Sequence, residues 1–180
     1  EKNKQPYALN FDVLAHEAGH GLIFSIVGMP SDETVTTEYR GFHESASDLV
    51  ALISVLHFDS FIDRLLADTK GNIYAENELN RIGELSDTNQ IRLASNAYKM
   101  SDCVNLETPV KDVSYKQVHK LGEPLTGAFF DILVEIYQRQ LVSSGAISRD
   151  LDAQSSRVAT GELDDRGLHE RYQEAYAKAP

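Results

Sequence analysis

The chain has 180 residues, 42% hydrophobic and 25% charged, enough apolar material for the core of one globular domain or of a compact part of a larger protein. With 17 Lys and Arg against 28 Asp and Glu the net charge is −11, and the basic residues are scattered, which argues against nucleic acid as a partner. The longest apolar run, Leu49 to Leu56, is far too short for a membrane span, and a lone cysteine, Cys103, excludes an intrachain disulfide framework.

The sequence opens on Glu1 without an initiator Met, so the lack of a leader there says nothing about targeting. No internal repeat or low-complexity tract occurs, and the pattern predicts consecutive helices joined by polar loops. The first helix runs from about Asn10 to Val27, with Asn10 or Asp12 as its cap and Gly28 and Pro30 as its stop. Phe11, Leu14, Ala18, Leu22 and Ile26 share one side, and Val13, Ile23, Phe24 and Val27 fill the other, so this helix is expected to be buried. Ser31 to Gly41 is polar and β-branched and suggests a loop with a short strand. A second helix is expected from Phe42 to Leu56, extended or followed by another over Phe58 to Gly71. Ala75 to Leu85 and Asp87 to Met100 carry weaker helical patterns, and Cys103 to Val118 is loop-like. Glu123 to about Leu141 is a strong helix with Pro124 in its first turn, and the polar stretch from Asp164 onward is a solvated terminal helix. No linker divides the chain into two domains.

The chemistry is concentrated in "HEAGH", His16 to His20, inside the most apolar helix. Burying two imidazoles and a carboxylate without partners costs on the order of 2–7 kcal/mol for each unsatisfied group, so something must compensate them. His16 and His20 are four apart and project from one face, so both rings can reach a single zinc ion. Glu17 is poorly placed to share that ion but well placed to take a proton from water. A histidine pair satisfied within a core is the alternative. A third ligand decides between them, and it does not come from an extended metzincin pattern, because Ile23 and Ile26 stand where Gly and His are required. Downstream, "GFHESASDLVALIS" sets Glu44 and Asp48 four apart on one face of the second helix. Asp32, in a loop without a supporting motif, is the other acidic candidate.

"HEAGH" followed by Glu44, Ser47 and Asp48 resembles the thermolysin-like gluzincins, whose second helix carries E-x-x-S-D. The resemblance implies Glu44 as the third metal ligand and Asp48 behind a ligand histidine, His16 first, fixing its tautomer. "QVHKLGEPLTGAFFDIL" resembles the later family segment whose histidine stabilises the transition state, which implies that role for His119. "IRLASNAYKM" resembles the segment whose arginine holds the substrate carbonyl, here Arg92, and Tyr39 is a substrate-binding candidate by proximity to Glu44. The family's Asp that orients the oxyanion histidine is replaced by Ser114, with Asp112 nearby. Asp12 matches a calcium-binding aspartate, but Val55 stands where its glutamate partner belongs, so calcium is not supported. His43 is a cleft-lining candidate, and His57 and His169 are expected to be structural or solvated.

The resemblance covers about residues 10–141 and lacks the family's strand-rich N-terminal lobe. It implies a mainly α, zincin-type helical lobe with little strand, residues 1–180 being one catalytic domain or a fragment of a larger enzyme. The implied activity is zinc-dependent hydrolysis of peptide bonds in a peptide or protein substrate, with one zinc per chain held by His16, His20 and Glu44 and with Glu17 and His119 catalytic. A secreted or cell-envelope location follows from the resemblance only. The competing expectation is a zinc-binding but catalytically silent module of a larger protein.

Overall fold

The computed structural model describes residues 10–31, 35–86, 89–103, 115–164 and 167–178. Among these residues it is mainly helical: α1 (Phe11–Val27), α2 (Thr37–Val55), α3 (Asp59–Thr69), a hairpin of β1 (Arg81–Ser86) and β2 (Asn89–Leu93), then α4 (Tyr115–Ser143), α5 (Arg149–Ala159) and α6 (Leu168–Lys178). The chain divides into two compact units, Glu1–His57 with Leu79–Phe130 and Phe58–Glu78 with Asp131–Pro180.

In the first unit α1 begins where expected, with the Asn10 side chain accepting the Val13 N–H at 3.2 Å, and ends at Gly28. It is not buried all round. Only Ala15, His16 and Gly19 are buried along it, whereas Phe11, Leu14, Leu22 and Ile26 are exposed. The reason lies at Gly19, where a Cβ would stand 2.9 Å from the Ser47 Cα, so α1 approaches α2 along its smallest residues and leaves its large apolar side outward.

The expected strand before the second helix is absent from the described part of that segment. The Thr36 hydroxyl instead accepts the Tyr39 N–H at 3.1 Å and starts α2 at Thr37, ahead of the expected Phe42. The buried face of α2 holds Gly41, His43, Ser45, Ser47 and Asp48 besides Ala51 and Leu52, an unusually polar set for an inner helix face. α2 meets α4 as closely as it meets α1. A Cβ at Gly122 would lie 2.8 Å from the Gly41 carbonyl oxygen, and Ser45 Oγ lies 2.8 Å from Thr126 Oγ1 one turn along.

The weak helical patterns over residues 75–100 resolve into an antiparallel hairpin, with Arg81 opposite Leu93 and Ile82 opposite Arg92. The spacing of Leu79, Ile82 and Leu85 suits a helix, but strand pairing overrides it, and the Ala94 N–H donates to the Asn80 carbonyl at 2.7 Å to close the hairpin base. Asn96 then donates to the Glu123 carbonyl at 3.0 Å, tying the end of the hairpin to α4. α4 starts at Tyr115, eight residues before the expected Glu123, so Pro124 lies inside the helix and His119 is helical, not in a loop. Gly122 and Pro124 look like punctuation in sequence, yet Gly122 is the contact point with α2.

In the second unit the predicted terminal helix is α6, and α5, which the sequence pattern did not suggest, is capped by Ser148 accepting the Leu151 N–H at 3.1 Å. Ile147, Leu151, Leu168 and Tyr172 form its core, and the buried Tyr172 hydroxyl donates to Gln138 at 3.1 Å.

Gly19→Ala tests the α1–α2 crossing. The added methyl meets backbone, which cannot rotate aside, so thermal or denaturant unfolding should show a loss of about 1–3 kcal/mol. An unchanged midpoint would mean that the helices separate without cost.

Candidate metal centre

Two helix periodicities build the centre. On α1 the i, i+4 spacing of His16 and His20 brings their Nε2 atoms to 3.1 Å. From α2, Glu44 Oε2 lies 3.2 Å from His16 Nε2 and 3.7 Å from His20 Nε2. These three residues are the group among the described residues whose donor atoms converge closely enough to hold a metal ion. Bonds of about 2.0–2.1 Å at tetrahedral angles set donors about 3.3–3.4 Å apart, so the observed separations fit a small four-coordinate ion.

Behind the donors stands a buried charge pair. Asp48, 2% exposed, receives His16 Nδ1 at 2.7 Å and Arg92 Nη2 on Oδ1, and Arg92 Nε on Oδ2 at 2.8 Å. The carboxylate thus orients the His16 ring with Nε2 toward Glu44, while β2 supplies the compensating guanidinium. On α4, the buried His119 puts Nδ1 3.0 Å from Glu44 Oε2. Burial by itself would raise the Glu44 carboxyl, but the close approach of the His119, His16 and His20 rings outweighs it and holds the group well below the usual carboxylate range. Burial likewise opposes a proton on His16, yet Asp48 and Glu44 push it up to about 9. His43 moves the other way, lowered by burial and by the neighbouring His20.

The centre opens on a pocket of about 600 Å³ whose wall includes His20, Glu44, Tyr39 and His43 together with Phe24 and Val118. An apolar cavity with a few convergent polar groups is the ordinary form of a small-molecule or side-chain site.

The structure therefore brings together His16, His20, Glu44, Asp48, His119 and Arg92, all singled out in sequence. Arg92 faces Asp48 with a guanidinium 8% exposed, which makes it a support for His16. Glu17 is exposed on the same turn of α1 as His16, and Tyr39 lines the pocket beside Glu44. Asp12 is half-buried in the first turn of α1, and His57 and His169 are exposed. Asp32, Asp112 and Ser114 lie outside the described residues. Sequence reasoning did not foresee the contacts of His20, whose Nδ1 lies 2.6 Å from His43 Nδ1 and 3.0 Å from Ser47 Oγ. The adjacency of His43 to Glu44 was the only signal, and it gave no direction.

Comparisons with protein-family models, curated proteins and solved structures found no match for the chain.

The proton on His16 dictates a pH dependence. A metal ion must displace that proton, so affinity for added Zn²⁺ should rise with pH, by at most tenfold per unit, and level off near pH 9. In the metal-free protein the same group, raised above its ordinary 6.5, adds stability that is fully present below that pH and is lost as pH rises through about 9. Competition titrations from pH 6 to 10 check the first statement, and Asp48→Asn should move the plateau to lower pH. A pH-independent affinity over that range would contradict the assignment of the proton.

Proposed function

We propose that this chain carries the catalytic centre of a zinc-dependent hydrolase that cleaves peptide bonds with water, in a zincin-type helical lobe resembling the thermolysin-like gluzincins. One observation carries the reading: two imidazoles and one carboxylate converge at tetrahedral spacing, and two of the three, His20 and Glu44, line an open pocket. Three protein donors leave a fourth position, as catalytic zinc sites do, whereas structural zinc sites are closed by four. The donor chemistry favours zinc over calcium or magnesium, which take oxygen ligands.

A bound zinc ion supplies Lewis-acid polarisation of a carbonyl and lowers the pKa of water. The remaining work belongs to the chain's own groups. Glu17, exposed beside His16, accepts the proton of the attacking water and returns it to the departing amine. His119, held next to Glu44, donates a hydrogen bond to the carbonyl oxygen as it gains negative charge. Asp48 and Arg92 keep the His16 ring in the orientation that points Nε2 toward the other two donors. The apolar wall of the pocket, with Phe24 and Val118, takes a substrate side chain, and Tyr39 contacts the substrate backbone.

Metal analysis should find about one zinc per chain, and Glu44→Ala should abolish it. Glu17→Gln should retain zinc and fold but lose hydrolysis of a casein-like substrate, because an amide cannot accept the proton. His119→Ala should keep zinc and lower kcat by on the order of 10²–10³, the cost of one oxyanion donor. Full activity of the Glu17→Gln protein would overturn the mechanism. Stoichiometric zinc without any hydrolysis by the unmodified protein would favour a silent zinc module instead.

A further inference from the structure

Two imidazole nitrogens 2.6 Å apart, His20 Nδ1 and His43 Nδ1, cannot both carry a hydrogen, so one donates and the other accepts. The rings are almost parallel, at 10°, with centres 4.8 Å apart. With about 1.1–1.2 Å from each ring centre to its nitrogen, an in-line N–H···N contact puts the centres about 4.9 Å apart, so this is an edge-to-edge hydrogen bond and not a face-to-face stack. Its direction follows from the other end of His20. Nε2 faces His16 Nε2 and Glu44 Oε2, and a nitrogen that is to ligate a metal must present a lone pair, so the ring hydrogen resides on Nδ1. His43 Nδ1 is then the acceptor.

His43 is held for that task. It is 4% exposed, with the Phe24 ring 4.3 Å away and the Tyr39 ring 5.6 Å away, and its Nε2 is buried with no hydrogen-bond partner among the described residues. A buried imidazole with one orphaned nitrogen is costly, and an apolar side chain would fill the same space without that cost. The hydrogen bond to His20 is the compensation the geometry offers. Ser47 Oγ, 3.0 Å from the same His20 nitrogen, is the longer of the two contacts.

We propose that His43 is a positioning residue for the metal centre: by accepting the Nδ1 hydrogen of His20 it fixes the tautomer and plane in which Nε2 faces the ion. His16 has Asp48 for this purpose, and His43 is the counterpart for His20, supplied from the residue next to the Glu44 ligand. The inference rests on His16, His20 and Glu44 being metal ligands.

The test compares Zn²⁺ affinity, by chelator competition, in the unmodified protein and in His43→Phe, His43→Asn and His43→Gln. Asn can set its amide oxygen where Nδ1 stands, whereas the Gln oxygen reaches the place of Nε2. His43→Phe and His43→Gln should bind Zn²⁺ about 10–100-fold more weakly, the usual loss of an outer-shell partner, and His43→Asn should restore most of the loss. A purely structural role would instead favour Phe over Asn. In the unmodified Zn²⁺-loaded protein, ¹⁵N NMR with labelled histidine should find the His20 hydrogen on Nδ1, coupled across the hydrogen bond to His43 Nδ1, a readout that does not depend on any variant folding. Undiminished affinity in His43→Phe, or a His20 hydrogen on Nε2, would overturn the proposal. Failure of the unmodified protein to bind Zn²⁺ would instead overturn the ligand assignment beneath it.

Discussion

Everything at the centre depends on how closely α1 can approach α2. Gly19 lies between the two histidines of α1, and with no side chain there the helix backbone comes within a methyl's width of Ser47. Three residues one way and one residue the other along α1 are His16 and His20, and on α2 Glu44 and Asp48 flank Ser47 on the facing surface. Any larger residue at the crossing would push Glu44 away from the two imidazoles, and separations of 3.1–3.7 Å leave little slack. The second glycine contact, Gly41 against Gly122, does the same for α4 and sets His119 against Glu44. Small residues thus stand where helices cross, and titratable residues stand within one turn of them, where the gap between helices has widened enough for side chains to meet.

Around those donors the polar groups are arranged so that each has a reason to be buried. Asp48 is a nearly inaccessible carboxylate, tolerable because Arg92 and His16 both donate to it. Glu44 is shared by three imidazoles, which keeps it anionic against the pull of burial. A divalent ion in the middle would replace the proton that His16 otherwise holds, so that His16 would join His20 and the anionic Glu44 as a neutral imidazole. The donor geometry is supported by charge and hydrogen bonding within the chain itself.

Much of the centre was legible in sequence because its parts are local. His16 with His20, and Glu44 with Asp48, are i, i+4 pairs, and helical periodicity alone puts each pair on one face. The Asn10 cap and the Gly28 stop bounded α1 to within a residue. What could not be read was long-range. Arg92 reaches Asp48 from 44 positions away on a strand of a hairpin whose residues carry a helix-like spacing, so neither its element nor its partner was visible. The exposed side of α1 was misjudged for a related reason: apolar residues all round a helix suggest burial, but two small residues, Ala15 and Gly19, determine which side packs. Pro124 and Gly122 read as a helix start when they are interior to α4, because Gly serves packing there and not termination.

In the proposed centre two imidazoles and one carboxylate of this chain bind a single ion with a position to spare. X-ray absorption at the zinc edge of the Zn²⁺-loaded protein tests it most directly. A four-coordinate ion with two imidazole nitrogens and two oxygens at about 2.0–2.1 Å is expected, with loss of one imidazole signal in His20→Ala. A six-coordinate, all-oxygen shell, or a spectrum unaffected by that substitution, would contradict it.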